Sequence, residues 1–218
     1  MKTRILKTAV LAFTLLFIFP YMSYSQELNP IKLLQPQTEG GRPLMQALKD
    51  RKTDRSFNPE KLPLQMLSNL LWAAFGINRP DSGRRTAPSA LNWQEIGIYV
   101  VLPEGAYLYE AKNHFLQPVS KGDIRGMTGL QSFVKEAPVN LVYVADFSRM
   151  GKASNEDKEF YSAADTGVIV QNVYLFCASE GLATGVRAFI DKPALAKAMQ
   201  LRPDQKIILA QSVGYPKK

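Results

Sequence analysis

Apolar residues recur at helical spacing in several stretches of this chain. Leu44, Ala47 and Leu48 follow Pro43, a residue suited to a first helical position, and predict a short helix ending near Asp50. Leu67, Leu70, Leu71 and Ala74 form a stripe that predicts a second helix from Leu64 to Phe75, with Trp72 beside it and Gly76 as its stop. Ser162 to Ser179 is apolar almost all round, so the helix predicted there must be buried on every side. Shorter helices are expected over Asp123–Val134 and Pro193–Met199.

Continuous apolar runs over Ile96–Leu102 and Val139–Ala145 predict buried strands. Ala106–Glu110 and His114–Val119 read as a hairpin about Ala111-Lys112-Asn113, Val186–Ile190 as a short strand, and Ile207–Val213 as the last strand. Helices and strands mixed in this order predict an α+β sandwich with a mostly antiparallel sheet. The domain spans residues 43–218, without internal repeats. Residues 26–42, rich in Pro, Gln and Gly, read as an extended N-terminal arm. Asp146–Asn155, with Met150 and Gly151, reads as a linker of the kind from which lids are built.

Composition sets the address. Lys2, Arg4 and Lys7 precede an uncharged run from Thr8 to Pro20, and Ser23 and Ser25 offer small residues where a signal peptidase reads. Residues 1–25 therefore read as a secretory signal peptide, because a retained anchor needs about twenty apolar residues. The protein is expected to be exported to the periplasm, touching the membrane only through that segment before cleavage. Without it, 24 cations face 19 acids, a net charge of +5. Those cations are spread out except near Arg51–Arg55 and Arg79–Arg85, and no aromatics interleave with them, which argues against nucleic acid as a partner. One Cys (Cys177) excludes an intrachain disulfide, and one His (His114) with one Cys leaves too little for a zinc site. Cys177 is expected to be a buried small hydrophobe and His114 a structural residue.

Arg51-Lys52-Thr53-Asp54-Arg55 places three cations and a hydroxyl at a helix end. Such a cluster can hold a phosphate, with Arg taking two oxygens at once, or can simply offset the helix dipole. A second stretch, Pro88-Ser89-Ala90-Leu91-Asn92-Trp93-Gln94, follows about thirty residues on. No G-x-S-x-G elbow, H-E-x-x-H helix or Gly-rich phosphate loop is present.

Together these stretches resemble the nitroreductase-like flavoproteins. Arg51 to Phe57 is similar to their R-[RK]-[ST]-x-R-x-F segment, and Pro88 to Gln94 to their P-S-x-x-N-x-Q segment. The likeness continues through Gly181-Leu182-Ala183-Thr184-Gly185 and Val213-Gly214-Tyr215-Pro216, and so covers nearly all of the mature chain. Leu70-Leu71-Trp72-Ala73-Ala74 and Arg85-Thr86-Ala87-Pro88-Ser89 resemble the branch that contains azoline-oxidising dehydrogenases.

The resemblance implies an intertwined homodimer that binds FMN and acts on small molecules. Reduced nicotinamide, NAD(P)H, or another donor would reduce the flavin, and small aromatic or quinone-like acceptors would reoxidise it. A dehydrogenase acting directly on an organic substrate, or a binding protein that has lost turnover, are the alternatives. In this reading Arg51, Lys52, Thr53 and Arg55 grip the phosphate and polyol. Pro88, Ser89 and Asn92 line the ring edge from the neighbouring subunit, and Leu182, Ala183 and Thr184 cover one ring face. Lys217 either adds to the phosphate site or belongs to a free basic tail. Arg187 either meets an acidic substrate or forms a surface salt bridge with Asp191 or another acid. No side chain is expected to act as a catalytic nucleophile, since the cofactor carries the chemistry.

Overall fold

The computed structural model describes residues 27–217, so the expected signal peptide and Lys218 lie outside the described residues. At its centre runs β8 (Val139–Asp146), buried at every position but its last. A strand apolar on both faces must have neighbours on both edges and cover on both sides. The neighbours are β5 (Ile96–Leu102) and β10 (Gln205–Pro216). Beyond β5 come β6 (Gly105–Glu110), β7 (Phe115–Lys121) and β1 (Ile31–Lys32), while β9 (Ala183–Arg187) and β2 (Phe57–Asn58) pair with β10. Every pairing in this eight-stranded sheet is antiparallel.

Cover on one face comes from α2 (Leu64–Phe75) and α3 (Asn155–Glu180), with α1 (Leu44–Asp50) packed on α3. Leu70, Leu71, Ile169 and Val173 meet Ile98, Val100, Leu141 and Tyr143 there. On the other face Leu195 and Met199, from and just after α4 (Lys192–Ala198), pack with Tyr99, Val101, Val142 and Val144. Each such fully buried side chain stabilises the fold by roughly 1.5–3 kcal/mol.

The α+β reading and its antiparallel sheet are therefore correct, with local corrections. Helix α3 starts at Asn155, seven residues before the expected Ser162. Its first turns are polar and carry no apolar signal, but the Ser154 hydroxyl accepts the Asp157 N–H at 3.0 Å and caps them. The Asp123–Val134 stretch is not one helix but two 3₁₀ turns, Arg125–Thr128 and Ser132–Lys135. Arg187 prevents the helix from running through, since its guanidinium takes the Thr128 carbonyl at 2.9 Å and packs against Gly129, where a Cβ would lie 2.8 Å from Arg187 Cδ. The 146–155 linker is tied down. Asp146 caps a 3₁₀ turn whose Met150 is 1 % exposed, and the Phe147 N–H donates to the Asp204 carbonyl. Two-residue strands β1 and β2, and the hairpin of β3 (Ile77–Arg79) with β4 (Arg84–Arg85), are too short to show periodicity in sequence.

His114 and Cys177 are structural, as expected. The His114 ring bridges the Ser68 hydroxyl at 2.7 Å and the Tyr109 hydroxyl at 3.0 Å, and burial lowers its pKa. Cys177 is fully buried, and that burial pushes its thiol far above the ordinary range.

Arg187 pairs with neither Asp191 nor any other acid among the described residues. It is 5 % exposed, while Asp191 instead caps α4 by accepting the Ala194 N–H. Its Nη atoms donate to Ser212 Oγ, Thr128 Oγ1 and Asn140 Oδ1 at 2.6–2.8 Å, and desolvation lowers its pKa to about 10. Neutral oxygens thus solvate a buried cation and join β8, β9, β10 and the 3₁₀ turns. Arg187→Ala, which strands these acceptors, is expected to lower the unfolding free energy by about 2–4 kcal/mol. Denaturant titration checks this, and a change under about 1 kcal/mol would mean that the network contributes little net stability.

Candidate functional site

Chain leaving α1 turns at Arg51 and is pinned at once to β9. The Asp54 N–H donates to the Thr184 carbonyl at 2.9 Å. Thr53 Oγ1 and the Tyr174 hydroxyl, from α3, are 3.0 Å apart, and the same hydroxyl accepts the Val186 N–H at 3.1 Å. Arg51 lies over the Tyr174 ring, its guanidinium carbon 5.4 Å from the centroid. One tyrosine thus joins the long helix, the basic loop and the strand.

Small residues make this approach possible. A Cβ at Gly185 would stand 3.2 Å from Arg55 Cγ and 3.4 Å from Thr53 Cγ2, so the basic loop packs directly on the strand backbone. A cavity of about 220 Å³ lies between the loop and the helix end, lined by Lys52, Asp54, Tyr174, Leu182, Ala183 and Thr184 among others. Among the described residues neither Arg51 nor Arg55 forms an ion pair, whereas Lys52 faces Asp54 at 3.5 Å. Two guanidinium groups without carboxylate partners, beside a strand open to close approach, suit a phosphate-bearing ligand. Lys217 does not join them here: its ammonium is held by Glu136 at 2.7 Å, although its backbone N–H donates to the Ser56 carbonyl.

The second stretch folds apart from the first. Leu91, Asn92 and Gln94 all have left-handed backbones, with φ of 49°, 55° and 48°. Such conformations cost non-glycine residues about 1 kcal/mol or more each and need external support. Support comes from Ser89 Oγ, which accepts the Gln94 N–H, and from Arg85 and the Gly83 carbonyl, which hold the Gln94 amide at 2.9 and 3.0 Å. Asp165 of α3 accepts the Ala90 N–H at 2.8 Å, and Trp93 meets Tyr161 edge to face. Pro88, Leu91 and Asn92 are left exposed.

Asp165 and Tyr174 are nine residues apart on α3, about 14 Å along the axis. The structure therefore unites Arg51, Lys52, Thr53 and Arg55 with Leu182, Ala183 and Thr184, and sets the loop of Pro88, Ser89 and Asn92 against another level of the same helix.

Sequence reading missed Tyr174, Asp165 and Glu95. Tyr174 looked like one more apolar position of a buried helix. Glu95, 0 % exposed, sits directly behind the loop with both carboxyl oxygens lacking a hydrogen-bond partner. Burial first of all, with the neighbouring Asp165, raises its pKa to about 7 against the opposing pull of its own backbone N–H and of Arg149. Its position between a polar motif and an apolar strand was the available signal.

Two outcomes follow from this geometry. Tyr174→Phe removes two hydrogen bonds and is expected to cost about 1–3 kcal/mol in a denaturation midpoint series; an unchanged midpoint would remove Tyr174 as the joint. Between pH 4.5 and about 7 the folded protein retains a proton on Glu95 that the unfolded chain has released, so stability should fall as pH rises through that window. Glu95→Gln should flatten this part of the stability profile, and a mutant profile parallel to the wild type would refute the assignment.

The sequence model of the Nitroreductase family matches residues 48–215. A nitroreductase-like protein of Methanocaldococcus jannaschii is 30 % identical over 152 residues, covering 65 % of this chain and 76 % of that protein. Among solved structures, a nitroreductase-like protein of Ralstonia eutropha JMP134 is 43 % identical with a TM-score of 0.83, over 87 % of this chain and 90 % of that one. A Desulfovibrio desulfuricans relative, solved in complex with FMN, shares the fold at 21 % identity and a TM-score of 0.59, over 82 % and 89 % of the two chains. The Escherichia coli microcin synthetase complex contains a chain of the same fold, 20 % identical with a TM-score of 0.67, over 97 % and 85 %. With the family's basic segment pinned on its small-residue strand, and its model matched across the folded domain, this chain belongs to the nitroreductase family.

Proposed function

We propose that the chain is an exported FMN-dependent oxidoreductase that works as a homodimer on small aromatic or quinone-like acceptors. The observation that carries this reading is the basic loop fixed on β9, which presents the guanidinium groups of Arg51 and Arg55 without carboxylate partners beside Leu182–Gly185.

In this reading Arg51 and Arg55 bind the phosphate, with Lys52 at the rim, and Thr53 serves the phosphate or the polyol. Ala183, Thr184 and Gly185 admit a flat ring close to the backbone. FMN, when bound, supplies the two-electron chemistry, while the protein supplies position, polarity and access. Proton positions and water exclusion at the ring edge fall to Ser89 and Asn92.

The homodimer completes the site. Helix α3 leaves Phe160 66 % and Val168 39 % exposed, with Ala164 and Gly167 in the same stripe. Such a stripe of large and small residues suits close helix packing. A two-fold axis crossing α3 between Val168 and Gln171 would set the Asp165 level of one helix beside the Tyr174 level of the other. That brings the ring-edge loop of one protomer to the basic loop of its partner.

The visible spectrum of protein purified from its exported form should show the bands of an oxidised flavin, with FMN released on heating. A colourless protein that takes up no FMN would end the enzyme reading. Anaerobic bleaching by NADH or NADPH would identify a nicotinamide donor, whereas bleaching by an organic substrate alone would identify a dehydrogenase. Arg51→Ala with Arg55→Ala should weaken FMN binding by about a hundredfold or more, the loss of two charge-assisted contacts, while leaving apoprotein thermal stability nearly unchanged. Equal affinity in the double mutant would dismiss the grip.

A further inference from the structure

Glu95 immediately precedes β5, and its backbone carbonyl accepts the Asp146 N–H at 2.9 Å. Its side chain is enclosed. Neither carboxyl oxygen makes a hydrogen bond, although the residue's own backbone N–H lies near and favours the ionised form, and the hydroxyl of Thr166, the residue after Asp165 on α3, is likewise buried without a partner. An ionised carboxylate in such a place would cost several kcal/mol.

The carboxyl beside it is that of Asp165, whose charge and side chain both favour the protonated form of Glu95. Asp165 already accepts the Ala90 N–H through Oδ2, which makes it the accepting member of the pair. Glu95, whose carboxyl oxygens make no hydrogen bond, is the member that must bring the proton. The other charged groups facing Glu95 come from separate elements. Arg149 lies in the turn after β8 and favours the ionised form, and it shares with Arg85, Glu110 and Asp146 a cavity of about 250 Å³ that also touches Glu95. Arg85 is itself committed to the Gln94 amide and the Phe75 carbonyl.

We propose that Glu95 and Asp165 form an acid–carboxylate latch, in which the Glu95 O–H donates to Asp165, Asp165 holds the Ala90 N–H, and the strained 89–94 loop is thereby kept against α3. Glu95 is a positioning residue that touches neither substrate nor cofactor. When its proton passes to solvent, two carboxylates face each other in a buried site, and the cheapest relief is to withdraw Asp165 from Ala90. Burial places that transition near neutrality, with the Glu95 pKa raised to about 7. Three left-handed residues then lose one of the ties that hold them. The consequence for the ring edge, a loop ordered below neutral pH and loosened above it, rests on the function proposed above; the latch itself does not.

Amide hydrogen exchange of the mature protein without added FMN, from pH 5.5 to 8.5 and corrected for intrinsic exchange, tests it. Protection of the Ala90 amide is expected to fall by up to about tenfold for each pH unit above the transition. In Glu95→Gln the amide N–H donates to Asp165 at every pH, so protection should stay level. Asp165→Ala, which removes the acceptor, should lose protection throughout. Parallel pH profiles in wild type and Glu95→Gln, or full protection in Asp165→Ala, would overturn the latch. Because the exchange reads the Ala90 amide and not the flavin, failure of the latch leaves the FMN assignment standing, and a failed FMN titration leaves the latch standing.

Discussion

Everything in this fold depends on the double burial of β8. A strand apolar on both faces leaves no exposed side for its backbone or its side chains, so it forces a central place, a partner on each edge and a helical layer on each face. Helix α3 satisfies that demand on one side with Ile169, Val173 and Cys177, and in doing so becomes the ruler along which the site is laid out. Tyr174 and Asp165 point from it to two different loops.

Two buried ionisable groups show contrasting ways of living inside the protein. Arg187 stays a cation because Thr128, Asn140 and Ser212 replace its water shell, which lets a single side chain bind three strands and a turn. Glu95 has no such shell, and burial raises its pKa to about 7. The first arrangement fixes the architecture. The second leaves the loop behind which it sits responsive to pH, and it lies where three residues hold left-handed conformations that local preference alone would not keep.

Strong periodicity was legible wherever one layer met another. The runs at Ile96–Leu102 and Val139–Ala145, and the stripe on Leu64–Phe75, specified their elements almost to the residue. Errors arose where long-range contacts outbid local pattern. Asp123–Val134 has helical spacing, yet its carbonyl at Thr128 is claimed by an arginine 59 residues away. Asp146–Asn155 has a linker's composition, yet Met150 is driven into the core. The site was half legible: the residue types of the basic loop announce anion chemistry, but the tyrosine that holds the loop in place has no signature in a helix already expected to be apolar.

The sequence by itself determined the fold class, the family and the chemical character of both loops, because side-chain type and spacing are local properties written directly along the chain. Only the tertiary structure decided that the basic loop rests on β9, that Arg187 is buried among neutral oxygens, and that Glu95 faces Asp165. Those facts follow from which segments the antiparallel sheet and α3 bring together, and a buried group's charge state depends on that enclosure rather than on its neighbours in sequence.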